Sequence, residues 1–243
     1  MIVVEGLEKK HDETPILRGL SFEIPSHAVA AVVGPSGGGK TTLLRCMHGL
    51  ASFDAGRVTI GDATLSAGPL EPQRAALDAV RRRAGFVFQT WHLFAHMTVL
   101  ENVIEAPVHV RRVPKQDAIA KAEALLEKVG LAHRQGALPR SLSGGEQQRA
   151  AIARALAMEP EVLFMDEPTS ALDPERVVAL TELLSTLREE GLSLVTVTHD
   201  TDFAERLADR VLVLVGGELV EDGPPSEVLH APKDPRVAKF LGR

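Results

Sequence analysis

The stretch Gly34-Pro35-Ser36-Gly37-Gly38-Gly39-Lys40-Thr41-Thr42 decides the fold. Gly34, four residues, then Gly39, Lys40 and Thr41 fits the phosphate-loop pattern. The apolar run Ala28-Val29-Ala30-Ala31-Val32-Val33 feeds it, and Leu43-Leu44-Arg45-Cys46-Met47 leaves it as a helix would. Strand, glycine loop and helix are the context this pattern needs. Glycines let backbone N–H groups converge on phosphate oxygens where a Cβ would block the approach. The N-terminus of the following helix adds partial positive charge. Lys40 is placed to reach the β- and γ-phosphates of a nucleotide, and the Thr41 hydroxyl to ligate Mg²⁺. All nine residues are therefore expected to bind a nucleoside triphosphate.

The bulk numbers are those of a globular protein. The chain has 243 residues, 44% hydrophobic and 25% charged, enough for one large α/β domain or two small ones. A net charge of −6 argues against a broad nucleic-acid face. A triphosphate site needs only local N–H groups and one lysine, so the acidity does not oppose it. The single cysteine, Cys46, cannot form an internal disulfide and reads as a packing residue. No run has the length of a membrane span, and Met1-Ile2-Val3-Val4-Glu5 does not open like a secretory signal. A membrane role is expected to come through a partner.

Outward from the loop, Ile2-Val3-Val4, Leu20 to Ile24 and Arg57 to Ile60 read as short β segments. Residues 66–84 carry Gly68-Pro69 and Glu71-Pro72, then Arg81-Arg82-Arg83, read as a solvated helix face. Gly85 to Phe88 is a strand ending at Gln89. Ala118, Ala122, Leu125, Leu126 and Val129 recur at helical spacing over 115–130, and a second helix is predicted from about Gly145 to Met158. A mostly helical lobe at about 90–158 thus interrupts a core of about 1–89 and 159–243, within a single domain. Strand Val162 to Met165, a helix from Pro174 to Glu190, strand Leu194 to Thr198, helix 201–208 and strand Arg210 to Val215 alternate as in a largely parallel sheet.

Two further stations narrow the chemistry. Asp166-Glu167 follows an apolar strand, where side chains face the ligand crevice of a parallel sheet. Asp166 fits a Mg²⁺ partner, and Glu167 is placed to orient or deprotonate water; the pair would equally suit a turn cap before Pro168. Leu142-Ser143-Gly144-Gly145-Glu146-Gln147-Gln148-Arg149 sets a serine and two glycines before a helix, a second anion-suited helix end, though taken alone a serine N-cap with flexible glycines is the commoner explanation.

With these segments in this order the chain resembles an ATP-binding cassette (ABC) ATPase over essentially its whole length. Gly34 to Thr42 resembles Walker A, Val162 to Glu167 Walker B, and Leu142 to Arg149 the signature. Gln89 resembles the Q-loop glutamine, Ser170-Ala171-Leu172-Asp173 the D-loop, and His199 the switch histidine. The resemblance implies a P-loop α/β fold with a mostly parallel core, an antiparallel β subdomain and an inserted helical subdomain. It implies ATP and Mg²⁺ as ligands, with Thr41, Gln89 and Asp166 at the metal and Glu167, His199 and Gln89 in catalysis. It also implies a head-to-tail dimer, in which Ser143, Gly144, Gly145 and Asp173 of one copy complete the other's site. The family usually stacks an aromatic ring on adenine; this chain has no tyrosine, and His11 occupies the matching place.

Trp91 to Val103, Glu105-Ala106-Pro107 and Glu221 to Pro225 resemble importers of polar amino acids, while Asp200 after His199 departs from their commoner glutamate. That likeness implies permease subunits, indirectly a solute-binding protein, and a place on the cytoplasmic face of the inner membrane. DNA-repair heads of this family insert a long coiled coil that is missing here, and translation factors usually carry two cassettes. A cell-division or other membrane-complex regulator stays open as the alternative.

Overall fold

A computed structural model describes residues 1–242. Strands β1 (Ile2–His11), β2 (Thr14–Ile24) and β3 (Val29–Val33) precede helix α1 (Lys40–His48). Then come β4 (Phe53–Ile60), β5 (Ala63–Gly68), α2 (Arg74–Arg83) and β6 (Ala84–Val87). Three α-helices, α3 (Val99–His109), α4 (Lys115–Lys128) and α5 (Gly144–Leu156), separate β6 from β7 (Val162–Asp166). The order continues through α6 (Pro174–Glu189), β8 (Ser193–Val197), α7 (Thr201–Leu207), β9 (Arg210–Val215) and β10 (Glu218–Gly223), then α8 (Pro225–Val228) and α9 (Pro235–Phe240).

The six-stranded sheet runs β10-β9-β3-β8-β7-β6 and is parallel except for β10. All residues of β3, β7 and β8 are buried. Strands covered on both faces read as unbroken apolar runs, which makes these three legible in the sequence. Side chains alternate between the faces. Ala30 and Val32 of β3 pack with Leu43, Leu44 and Met47 of α1, while Ala31 and Val33 pack with Ala204 of α7. On β7, Phe164 joins the α1 side, and Leu163 and Met165 join Leu180 and Leu184 of α6. Val32 pairs with Val197, Val197 with Asp166, and Val87 with Met165. Four parallel strands therefore release the chain along one edge.

The second sheet, β2-β1-β4-β5, is antiparallel throughout. Here the short segments expected at Ile2–Val4 and Leu20–Ile24 prove to be ends of ten- and eleven-residue strands. Register shifts between Val4 and Leu7, and again before Lys9, break the alternation that would have betrayed their length. Residues 66–84 hold the end of β5, which was not anticipated, and then α2, whose Leu77 and Val80 are buried; Arg81 and Arg82 are exposed as expected, but Arg83 is half-buried and pairs with Asp62 and Glu161. Helices α3, α4 and α5 share a core of Val103, Ala122, Leu126, Ala151 and Ile152 that continues onto Leu163. The long helix predicted from about Gly145 to Met158 is α5, ending at Leu156. Among the described residues, no helix is long and apolar enough to cross a membrane.

Gly56 has φ of 86°, and a Cβ there would lie 2.4 Å from the carbonyl oxygens of both Glu5 and Gly6. Gly56→Ala is expected to lower stability by about 1–3 kcal/mol, read as a fall in the urea midpoint.

Candidate functional site

A cavity of about 500 Å³ opens where β3, β8, β7 and β6 end. Residues 36–42 form one wall; Gln89, Glu167, His199 and Ile16 form the rest. Each polar residue follows its strand closely: the loop after β3, Gln89 after β6, Glu167 after β7 and His199 after β8.

The loop is shaped by close approach. Gly34 has φ of 145°, and a Cβ there would meet the Leu214 carbonyl oxygen at 2.1 Å. Gly39 has φ of 95°, and its Cβ would lie 2.9 Å from the Ile16 carbonyl oxygen. No side chain caps α1, and its first turn holds no acid, so its leading N–H groups are open to an anion. Gly34 and Pro35 stand behind the cavity wall, and both carbonyls accept from Lys40 Nζ, at 2.8 and 3.0 Å. Burial pushes the Lys40 ammonium below its ordinary pKa, while the nearby charges of Glu167 and Asp166 oppose the shift.

Thr41 Oγ1 donates to Asp166 Oδ1 at 2.8 Å, joining the first turn of α1 to the end of β7. Hydroxyl and carboxylate oxygens are the donors Mg²⁺ takes, and Gln89 adds an amide oxygen to the same cavity, so these residues fit that ion. Glu167 sits in the left-handed region, φ 49°, with its N–H bound to the Val197 carbonyl at 2.8 Å. Its Oε2 lies 2.7 Å from His199 Nδ1 and accepts from the His199 N–H at 3.3 Å. Ser170 Oγ donates to the Glu167 carbonyl at 3.0 Å and stands 3.5 Å from Gln89 Nε2. Gln148, buried on α5, donates to the Pro168 carbonyl and so ties that helix to the same loop.

A second group lies away from the cavity wall. Ser143 caps α5 reciprocally: its Oγ accepts from Glu146 N–H, and its N–H donates to Glu146 Oε2 at 2.7 Å. Asp173 caps α6 by accepting from Arg176 N–H at 3.0 Å. The two caps adjoin. A Cβ on Gly144 would lie 3.8 Å from the Ala171 carbonyl, and one on Gly145 would lie 3.2 Å from Arg176 Cδ. His11 is placed at the exposed end of β1 with its Nε2 4.0 Å from Asp12, and it is not part of the wall. Sequence reasoning missed Ile16. Its carbonyl is what Gly39 and Gly217 approach, a long-range contact with no local pattern to announce it.

Comparison with known proteins gives the family and the fold. A family model described as ABC transporter matches residues 17–170. The L-cystine transport system ATP-binding protein TcyN of Escherichia coli (strain K12) is 47% identical over 241 residues, covering 99% of this chain and 96% of that one. The arginine transport ATP-binding protein ArtM of Bacillus subtilis (strain 168) is likewise 47% identical over 241 residues, covering 99% and 98%. Among solved structures, the dimeric post-hydrolysis state of the ATP-binding cassette MJ0796 bound to ADP and Pi superposes with a TM-score of 0.82 at 32% identity, covering 93% of this chain and 99% of that one. CbiO1 from Clostridium perfringens, part of the cbiONQ transporter complex, gives 0.85 at 29% identity, covering 100% and 98%.

Arg134, whose Nε lies 2.8 Å from Glu146 Oε1, and the Ser143 N–H hold the Glu146 carboxyl down at about 2. A carboxyl that binds protons more weakly folded than unfolded stabilises fully above about 4.5, its ordinary value. That contribution is lost as pH falls toward 2. Glu146→Gln is expected to cost about 1–2 kcal/mol at pH 7, with the gap to wild type closing at acid pH in urea unfolding.

Proposed function

The chain belongs to the ABC transporter family, and from that premise we propose that it is the ATP-hydrolysing subunit of an uptake system for polar amino acids. One observation carries the reading: a single cavity brings the glycine loop, Gln89, Glu167 and His199 together. Relatives that transport cystine and arginine support the solute class.

The residues divide the work by position. Backbone N–H groups of 36–42 and the start of α1 receive the phosphates, and Lys40 exchanges its two carbonyl partners for phosphate oxygens. Thr41, Asp166 and Gln89 would hold Mg²⁺, which neutralises phosphate charge when bound. Water attacks the γ-phosphorus, the bond to the ADP oxygen breaks, and Glu167 orients the water and takes its proton. His199 fixes the Glu167 carboxylate through their 2.7 Å contact and faces the same phosphate. His11 and Ile16 flank the base.

Ser143, Gly144, Gly145 and Asp173 act from a second copy. They cluster at two helix N-termini off their own cavity, and a two-fold axis presents each cluster to the opposite nucleotide. ATP then favours the closed pair by mass action, and hydrolysis weakens it. Residues of about 90–158 form the lobe that transmits closure to permease subunits at the cytoplasmic face of the membrane. A solute-binding protein outside would choose the amino acid.

Glu167→Gln keeps side-chain size and is expected to reduce ATP turnover by about 100-fold or more while nucleotide binding persists. The variant should elute as an ATP-dependent dimer in size exclusion; turnover at the native rate would remove Glu167 from the chemistry. His11→Ala is expected to weaken ATP binding roughly two- to tenfold in a fluorescent-nucleotide titration, and no change would take His11 away from the base.

A further inference from the structure

We propose that Arg154 is a positioning residue, which from α5 holds the segment behind Gln89 and so sets where that amide stands in the cavity. The proposal rests on the ATPase reading of the cavity.

The chain behind Gln89 is strained. Trp91 and His92 are consecutive residues in the left-handed region, with φ of 58° and 46°. Neither is glycine, and each costs about 1–2 kcal/mol there. The turn supplies local bonds, Trp91 N–H to the Phe88 carbonyl at 3.0 Å and His92 N–H to the Thr90 carbonyl at 2.6 Å. Its two outward carbonyls are taken from elsewhere. Arg154 Nη2 donates to the Trp91 carbonyl at 2.8 Å, and Nη1 to the His92 carbonyl at 2.7 Å.

The fork is well suited to this. A guanidinium presents its donors in one rigid plane, so a single side chain can grip two neighbouring carbonyls. Its face also lies over the Phe94 ring, 5.6 Å from the centroid. Burial pushes the Arg154 pKa down, and no carboxylate among the described residues forms an ion pair with it. A half-buried cation answered by two carbonyls and a ring, with no carboxylate, is a costly way to fill space, and an apolar side chain would fill it more cheaply. The cost buys geometry: the arginine fixes a backbone that the local sequence disfavours.

The same segment touches the start of α5. A Cβ on Gly144 would lie 3.2 Å from the Trp91 ring. Beyond Phe94, buried Asn102 ties down the next turn by bonding the Phe94 N–H and the carbonyls of Phe94, Met97 and Thr98. Helix α5 thus meets the segment at both ends, with Gly144 under the indole and Arg154 under the carbonyls. A shift of α5, whose first turn carries Ser143 and Gly145, moves the backbone that carries Gln89.

Steady-state ATP hydrolysis by the full-length protein tests this. Arg154→Lys keeps charge and stem but loses the fork. It is expected to lower kcat roughly ten- to a hundredfold, with KM for ATP within about twofold. If Arg154 acts through Gln89, Arg154→Lys adds no further loss in a Gln89→Ala background. Independent, multiplying effects would overturn the proposal. Amide hydrogen exchange needs no turnover: the variant should exchange faster over residues 88–93 with 144–156 unchanged, and unchanged exchange over 88–93 would also overturn it. Arg154→Gln, whose single amide cannot donate to both carbonyls in the fork's geometry, carries the same two tests should the lysine variant melt too low to assay. A wild-type chain without turnover would strike the ATPase reading itself, while the exchange measurement would still judge the grip of Arg154.

Discussion

The parallel hydrogen-bond ladders joining β3, β8, β7 and β6 hold the rest of the molecule to its purpose. Parallel strands bring equivalent chain ends to one side, so four loops distant in sequence share one edge. Val32, Val197 and Asp166 lie abreast, and the residues just after them carry the polar chemistry. A slip of one residue in β7 would turn Asp166 from Thr41 into the apolar layer against α6. Burial of both faces forbids such a slip, because the apolar side chains of β3, β7 and β8 are each committed to one core or another.

Around that edge, charge is balanced over short distances. One buried lysine stands near two carboxylates, and its ammonium is also met by two carbonyls of its own loop. The acidic total of the chain therefore says little about the cavity, where local geometry decides which sign prevails. Helix α5 is a frame for these parts. Gln148 holds the loop after Glu167, Arg154 holds the loop after Gln89, and the Ser143 cap stands at the N-terminal end. Two loops that meet at the cavity are carried on one rigid rod.

Legibility in the sequence followed the range of the contact behind each feature. The glycine loop was readable because its pattern is local, with Gly34, Gly39, Lys40 and Thr41 at fixed spacing, and the buried parallel strands because both faces are apolar. The antiparallel strands were only half readable, since bulges in β1 scramble the two-residue rhythm. Ile16 gave no sign, because its partners Gly39 and Gly217 lie far along the chain. Trp91 and His92 carry none of the usual marks of left-handed backbone, and the arginine that secures them sits more than sixty residues away. The caps at Ser143 and Asp173 could be read as helix starts, but their adjacency is visible only in three dimensions.

Glu167 carries its carboxylate on a left-handed backbone. Glycine at this site would relax the main chain while deleting the acid, and valine or isoleucine would strain it further. A survey of replacements here would therefore mix two unrelated energies, conformational and chemical. Their rank order would track neither alone, and a change that left the protein more robust would be no sign that the carboxylate was idle.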